Sequence, residues 1–381
     1  MGSNLSTKFT GLNFVNPFLL ASAPPTESET NIMRAFDAGW GGVVTKTIAL
    51  HPVVNVDAAK TKFMRAAAGS PHISMNMKKE ERQNTALHSS WNWELTSDKS
   101  LDWWLPALER IKKAYPERIL VASIMAGSGS DTEWRHWQEL AKACQGAGCD
   151  ALELNLSCPH MDRKDMGANA GRDEGVVYFV VNSVKEVATV PVWVKLTPGT
   201  TDITVEASAA LKGGADAIVS SNTFTALPLI DPNTLDFEIN VDGFVSTGGL
   251  GGPAVLPLSL AKMTQLTRAF PDKSFSGIGG ISTFDHALNY FLLGCGTVQV
   301  CTAAMLDKAV GPSVIKNLNE GLERFLERHA DKGSTISDFV GLRRNNVVAQ
   351  SQIRRPSGKE YTGGYEVEGY AVPEQSGPTP V

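Results

Sequence analysis

The sequence predicts an α/β fold, a (β/α)8 barrel with long insertions after its second and sixth strands, and three observations carry that prediction. Short apolar runs alternate with longer amphipathic stretches along the chain, eight of each. The runs are apolar almost throughout, as strands covered on both faces are. No GxGxxG follows the first run, where the main rival, a doubly wound dinucleotide-binding sheet, would place its phosphate turn. The 381 residues exceed the ~250 of a plain barrel and leave room for insertions.

Strands are expected at 17–22 (PFLLAS), 42–47 (GVVTKT), 119–124 (ILVASI), 151–156 (ALELNL), 191–196 (PVWVKL), 217–221 (AIVSS), 274–278 (SFSGI) and 297–301 (TVQVC). Helical periodicity covers 30–39, 102–114, 132–147, 174–188, 203–213, 257–270, 283–293 and 310–328. Two connections are too long for simple crossovers. The first spans 48–101 and, with the helix it enters, carries Trp91, Trp93, Trp103 and Trp104; the second spans 223–256 and is rich in Asp, Asn and Gly. Both leave the carboxyl ends of strands, which places them over the functional face of a barrel. Residues 1–330 are expected to form the barrel and 331–381 a C-terminal extension, with the tail from 356 reading as extended or partly disordered.

With 35 basic, 40 acidic and 42% hydrophobic residues, the composition is that of a soluble globular protein with a sizeable core, not a disordered or fibrous chain. A formal charge of -5, with basic residues scattered among acidic ones, gives no footprint for nucleic acid. No apolar run reaches the ~18 residues of a membrane span and no signal-peptide pattern opens the chain, so a cytoplasmic location is expected. The five cysteines (Cys144, Cys149, Cys158, Cys295, Cys301) form no CxxC pair, and neither a disulfide framework nor a metal site is expected.

Polar residues gather at the carboxyl ends of the expected strands. Lys46 and Lys195 stand there, and a buried ammonium is costly without a partner. Three readings are open for them: a lysine snorkelling to water, a Schiff-base amine as in barrel aldolases, or a cation that stabilises an anionic reduced cofactor. Gly277-Ile278-Gly279-Gly280-Ile281 after the seventh strand and Thr302 after the eighth lie where barrels bind phosphate, and a second glycine-rich loop runs over 248–252. In Asn155-Leu156-Ser157-Cys158-Pro159-His160 the thiol has an ordinary pKa near ~8.5, so it holds a proton at neutral pH and can release it to a developing carbanion. His160 either orients a substrate or is a surface imidazole.

These motifs, NLSCPH together with LLASAPPTESETNIMRAFDAGWGGVVTKT, VASIM, VKLTPGTTDI, GGADAIVSSNT and GIGGIST, resemble the flavin-binding catalytic barrel of the dihydropyrimidine dehydrogenases, relatives of the class 1 dihydroorotate dehydrogenases, over residues 8–305. The resemblance implies FMN held by Ala21, Ser22, Lys46, Thr47, Asn155, Lys195, Asn222, Thr223, Gly249, Gly279, Gly280 and Thr302, with Lys195 beside the flavin N1–O2 edge. It implies a pyrimidine pocket of Asn92, Glu94, Asn155, Ser157, His160, Asn222 and Thr223. It further implies Cys158 as the acid at C5 of the ring, with hydride passing between flavin N5 and C6. The implied reaction is on the C5=C6 bond of uracil or thymine. Runners-up are a dihydroorotate dehydrogenase with a soluble acceptor, a reductase of another conjugated ring, a Schiff-base aldolase, and a flavin-carrying subunit with an inert Cys158. The family's iron–sulfur segments have clustered cysteines that this sequence lacks, so a separate reductase or redox protein is expected as electron partner. The region HSSWNWELTSDKSLDWW departs from the family pattern, and a homodimer is implied.

Overall fold

A computed structural model describes residues 4–51, 61–65, 88–158 and 164–353, with backbone alone at 61–65. The chain opens on a hairpin, β1 (Thr7–Phe9) and β2 (Leu12–Phe14). The barrel then follows as β3 (Phe18–Leu20), α1 (Glu29–Ala38), β4 (Gly42–Val44), the insertion strands β5 (Thr61–Arg65) and β6 (His88–Asn92), α2 (Leu101–Ala114), β7 (Ile119–Ile124), α3 (Asp131–Gly146) and β8 (Ala151–Leu156). After these come a short α4 (Gly167–Ala170), α5 (Glu174–Lys185), β9 (Val192–Leu196), α6 (Ile203–Lys212), β10 (Ala217–Ser220), and the second insertion's β11 (Phe224–Ala226) and β12 (Gly248–Gly251). The last units are α7 (Leu256–Ala269), β13 (Ser274–Ile278), α8 (Phe284–Leu293), β14 (Thr297–Val300), α9 (Thr302–Leu306) and α10 (Pro312–Arg328).

The strands β3, β4, β7, β8, β9, β10, β13 and β14 pair in parallel and in chain order, and β14 closes onto β3. All eight expected barrel strands and all eight expected helices are present. The helix starts have physical causes: Ser28, Ser100, Ser130, Asp173, Asp202 and Thr283 each accept a first-turn backbone N–H. Strand starts are fixed by a device used twice. Asp150 Oδ2 accepts Lys112 Nζ at 2.7 Å and the Leu120 N–H at 2.8 Å. Asp216 Oδ2 accepts Lys185 Nζ and the Val192 N–H, both at 2.8 Å.

Side chains alternate along each strand. On β8, Leu152, Leu154 and Leu156 join the outer core against the helices, while Ala151 joins the core inside the barrel. The inner core is plugged at the amino end by the hairpin. Phe9 meets Trp193 edge-on at 5.2 Å, and Trp193 Nε1 donates to Thr10 Oγ1 at 3.1 Å. Thr10 and Gly11 both have positive φ (47° and 84°), the two-residue turn whose twist suits a hairpin.

The two insertions pair with each other. β5, β6, β12 and β11 form an antiparallel sheet, with Asn92 opposite Gly249, Trp91 opposite Leu250 and Ser90 opposite Gly251. Trp91 and Trp93 pack at 4.8 Å with Ile239 in a small core of their own, their indole N–H groups donating to the Ala226 and Ser246 carbonyls. Trp103 and Trp104 stand instead on α2, where Trp104 is buried and Trp103 lies under Lys99.

The compact unit runs to Arg344, and Ile336 and Phe339 lie in its main core. Of the second unit, Asn345–Val381, residues 345–353 are described and contain a short 3-10 turn at Gln350–Gln352; the tail from 356 lies outside the described residues. Among the described residues no helix is long and apolar enough to cross a membrane, and no His/Cys/Asp/Glu cluster is suited to a metal. No disulfide joins the five cysteines.

Candidate active site

A cleft opens at the carboxyl ends of the barrel strands, beneath the insertion sheet. Most of the residues singled out in the sequence meet there. Ala21 and Ser22 follow β3, Lys46 and Thr47 follow β4, Asn155 and Cys158 come from the end of β8, and Lys195 from β9. Asn222 and Thr223 follow β10, Gly279 and Gly280 follow β13, Thr302 opens α9, and Asn92 and Glu94 enter from the first insertion. Ser157 and Gly249 stand one hydrogen bond behind this lining. His160 lies outside the described residues.

Hydrogen bonds hold the three asparagines, Asn222 and Asn155 in one continuous chain and Asn92 by separate bonds. Asn222 Nδ2 donates to Ser157 Oγ at 2.9 Å, and Ser157 Oγ donates to Asn155 Oδ1 at 3.0 Å. Asn155 Nδ2 in turn donates to Thr47 Oγ1 at 2.9 Å, which also bonds Ser123 Oγ at 2.9 Å. Asn92 Nδ2 donates to the Gly249 carbonyl at 3.0 Å and its Oδ1 accepts the Glu94 N–H at 3.1 Å. Each carboxamide thus spends one of its two N–H groups in these bonds. These bonds therefore aim three amides into one cleft and fix their rotation.

Both lysines are buried and compensated. Lys46 Nζ lies 2.8 Å from Glu94 Oε2, with side chains 5% and 13% exposed. Lys195 Nζ lies 3.6 Å from Oε1 of Glu153, a fully buried carboxylate whose Oε2 accepts Gln299 Nε2 at 2.7 Å. Desolvation of the Cys301 sulfur pushes its thiol up to about 11, although Lys195 and Lys46 pull it down, so this thiol stays neutral beside the cleft. Cys158, 6% exposed, lines the cleft directly.

The Gly279–Gly280 turn takes φ of +129° and +78°, and a Cβ there would collide with Ser259 and Leu256, so only glycine lets this turn at the cleft pack so closely on α7. Tyr290 supports the turn from behind, its hydroxyl donating to the Gly279 carbonyl at 2.7 Å. Ser90 joins the first insertion to the barrel through a 2.8 Å bond to Thr302 Oγ1.

Sequence reasoning passed over Ser90, Glu153 and Gln299. Glu153 and Gln299 carried a signal: each is a polar residue inside an apolar strand, two positions before another inward-facing site residue, Asn155 or Cys301. Ser90 carried none, because its place depends on which insertions pair.

The family model described as dihydroorotate dehydrogenase matches residues 98–326. The chain is 38% identical over 346 residues to a chloroplastic dihydropyrimidine dehydrogenase (NADP(+)) of Arabidopsis thaliana, covering 89% of this chain and 76% of that protein. It is 35% identical over 356 residues to the NAD-dependent dihydropyrimidine dehydrogenase subunit PreA of Escherichia coli, covering 92% and 80%. It is 31% identical over 336 residues to the dihydroorotate dehydrogenase B (NAD(+)) catalytic subunit of Pyrococcus furiosus, covering 87% and 96%. With the closed barrel and its polar mouth, these define the class: a flavin-dependent oxidoreductase acting on CH–CH bonds. The chain belongs to the dihydroorotate dehydrogenase family, as the motif resemblance implied.

The residues fit a flavin. Gln299 Oε1 and Ser221 Oγ are buried, belong to residues that line the cleft, and have no hydrogen-bond partner in the protein. Buried polar groups of that kind call for a ligand or water. The Lys195 ammonium lies beyond hydrogen-bonding distance of its carboxylate, leaving its protons for an acceptor in the cleft.

Proposed function

We propose that the protein binds FMN and interconverts the C5=C6 and C5–C6 forms of an uncharged pyrimidine such as uracil or thymine. When bound, the flavin supplies the hydride chemistry that no side chain has. Ala21, Ser22, Thr47, Asn155, Asn222 and Thr223 border its ring, Gly249 backs the same cleft, and Gly279, Gly280 and Thr302 cradle its phosphate. Lys195 places a positive charge against the ring edge where electron density accumulates.

One observation carries the substrate reading: three carboxamides, Asn92, Asn155 and Asn222, are locked by hydrogen bonds around a cleft that also holds the Cys158 thiol. A cyclic diamide presents alternating N–H and C=O groups, and each carboxamide both donates and accepts. Cys158 holds the proton for C5 and takes it back in the reverse direction. Orotate, by contrast, would bring a carboxylate needing an uncompensated cation. Among the described lining residues there is no arginine, and both lysines already face carboxylates. Glu94 and Ser157 complete the pocket by fixing Asn92 and Asn222, and His160 is assigned to substrate binding with them.

Two of the relatives are named as subunits, and this protein likewise takes its electrons from a separate redox partner. It works as a cytoplasmic homodimer. The test is an anaerobic visible spectrum of the FMN-loaded protein, photoreduced and mixed in turn with uracil, thymine and orotate. Reoxidation by uracil or thymine alone is expected. Reoxidation by orotate alone would transfer the protein to dihydroorotate oxidation, and failure to take up FMN would overturn the cofactor.

A further inference from the structure

Glu153 is an expensive residue for a barrel interior. It is fully buried in the middle of β8, among positions held by apolar residues, and a buried charge recovers little of its desolvation cost. Its two oxygens are used differently. Oε2 is anchored by Gln299 Nε2 at 2.7 Å. Oε1 faces Lys195 Nζ at 3.6 Å, close enough for attraction, and accepts no hydrogen bond. The carboxylate thus neutralises the lysine without taking its protons.

The other charged and titratable groups around Lys195 are committed elsewhere. Lys46 and Glu94 are closed on each other at 2.8 Å. Cys301 is held neutral by desolvation, and Cys158 lines the cleft from the end of β8. Among the described residues, Glu153 is the carboxylate paired with Lys195.

We propose that Glu153, gripped by Gln299, is the positioning residue that keeps Lys195 charged in both redox states of the cofactor while leaving its ammonium protons directed at the ring. The proposal rests on the FMN reading above. With Glu153 ionised, two-electron reduction takes up one proton, which goes to flavin N5, and the charge left on the ring meets an ammonium already present. With Glu153 replaced by glutamine, the buried ammonium has no counter-ion and gives up its proton while the flavin is oxidised. Reduction then returns that proton to Lys195 Nζ, so two electrons bring in two protons.

The slope of midpoint potential against pH follows the ratio of protons to electrons, and it is readable on the flavin-loaded protein without any substrate. Potentials are measured from neutral to mildly alkaline pH by dye-mediated reductive titration of the parent, Glu153→Gln, the double variant Glu153→Gln with Lys195→Met, and Gln299→Leu. The expected result is a twofold steeper slope in Glu153→Gln and a return to the parent slope in the double variant, where no lysine remains to titrate. Gln299→Leu keeps both charges but loosens the carboxylate, and should steepen the slope by a smaller factor; it serves where loss of the carboxylate unfolds the barrel. A parent-like slope in Glu153→Gln, or a steep slope persisting in the double variant, overturns the proposal. A parent that binds no flavin is a separate result, seen before any variant, and it removes the FMN reading together with this one.

Discussion

The two mouths of the barrel are built from the same eight strands and do opposite work. At the amino end the inward residues are apolar, Leu19, Ile119, Ala151, Trp193 and Ala217 among them, and the hairpin lowers Phe9 and Phe14 onto them. At the carboxyl end, two to four positions further along those strands, the inward set becomes Asn155, Lys195 and Ser221, joined by Cys301 after β14. Between them lies the Glu153–Gln299 layer, where the first buried charge appears. A barrel can hold costly polar groups at one mouth because the other mouth is sealed by an apolar plug.

If that division is right, damage to the plug should change stability and leave the chemistry intact. Phe9→Ala is the severest test. It removes a ring that is 4% exposed and packed on Trp193, and should cost about 3–5 kcal/mol of unfolding free energy. The denaturant midpoint should fall accordingly, while the flavin spectrum and turnover of the folded fraction stay at parent values; a comparable loss of turnover would show that the two mouths are coupled.

Cys158→Ser is the reciprocal test at the other mouth. The hydroxyl fits the same space but is a far weaker acid, and ring turnover should fall about 100-fold or more, with unfolding and flavin content unchanged. Turnover within about twofold of the parent would remove Cys158 from the proton path.

Thr10→Val is gentler than either. It strands the Trp193 indole N–H, which now donates to Thr10 Oγ1 at 3.1 Å, and should cost about 1–2 kcal/mol in an unfolding titration with no effect on flavin binding.

The same contrast explains what the sequence could and could not reveal. The eight barrel strands were legible because burial on both faces makes each an apolar run, and the helices because their apolar stripe repeats with helical period. The hairpin was not: TKF and LNF are three-residue strands whose pattern is too short to register. Nor was the insertion sheet, because Asn92 and Gly249 meet across 157 positions and nothing local in either segment names its partner. Most of the cleft was legible as polar residues at strand ends. Glu153 and Gln299 sit one layer deeper, where apolar neighbours on both sides make a polar residue look like an interruption of a strand and not part of a site.

The smallest effect expected belongs to the polar mouth and concerns pH. His286, on the first turn of α8, accepts the Ser282 N–H on Nδ1 at 3.3 Å, just past the Gly279–Gly280 turn. Burial lowers its pKa below the usual histidine value, outweighing its hydrogen bond to the Gly280 backbone and the charge of Asp285, both of which raise it. The folded state therefore holds fewer protons on this ring than the unfolded chain does, and stability rises with pH in that window. The contribution is complete above the unfolded pKa near ~6.5 and is lost as pH falls through the lower folded value. Protonated Nδ1 can no longer accept from Ser282, so acidification should loosen the glycine turn and weaken FMN binding together. Replacing His286 with Asn, which cannot titrate, should flatten that part of the pH profile of both melting temperature and FMN affinity. A His286→Asn variant with the parent's acid slope would place the titrating group elsewhere and leave the turn rigid across the range.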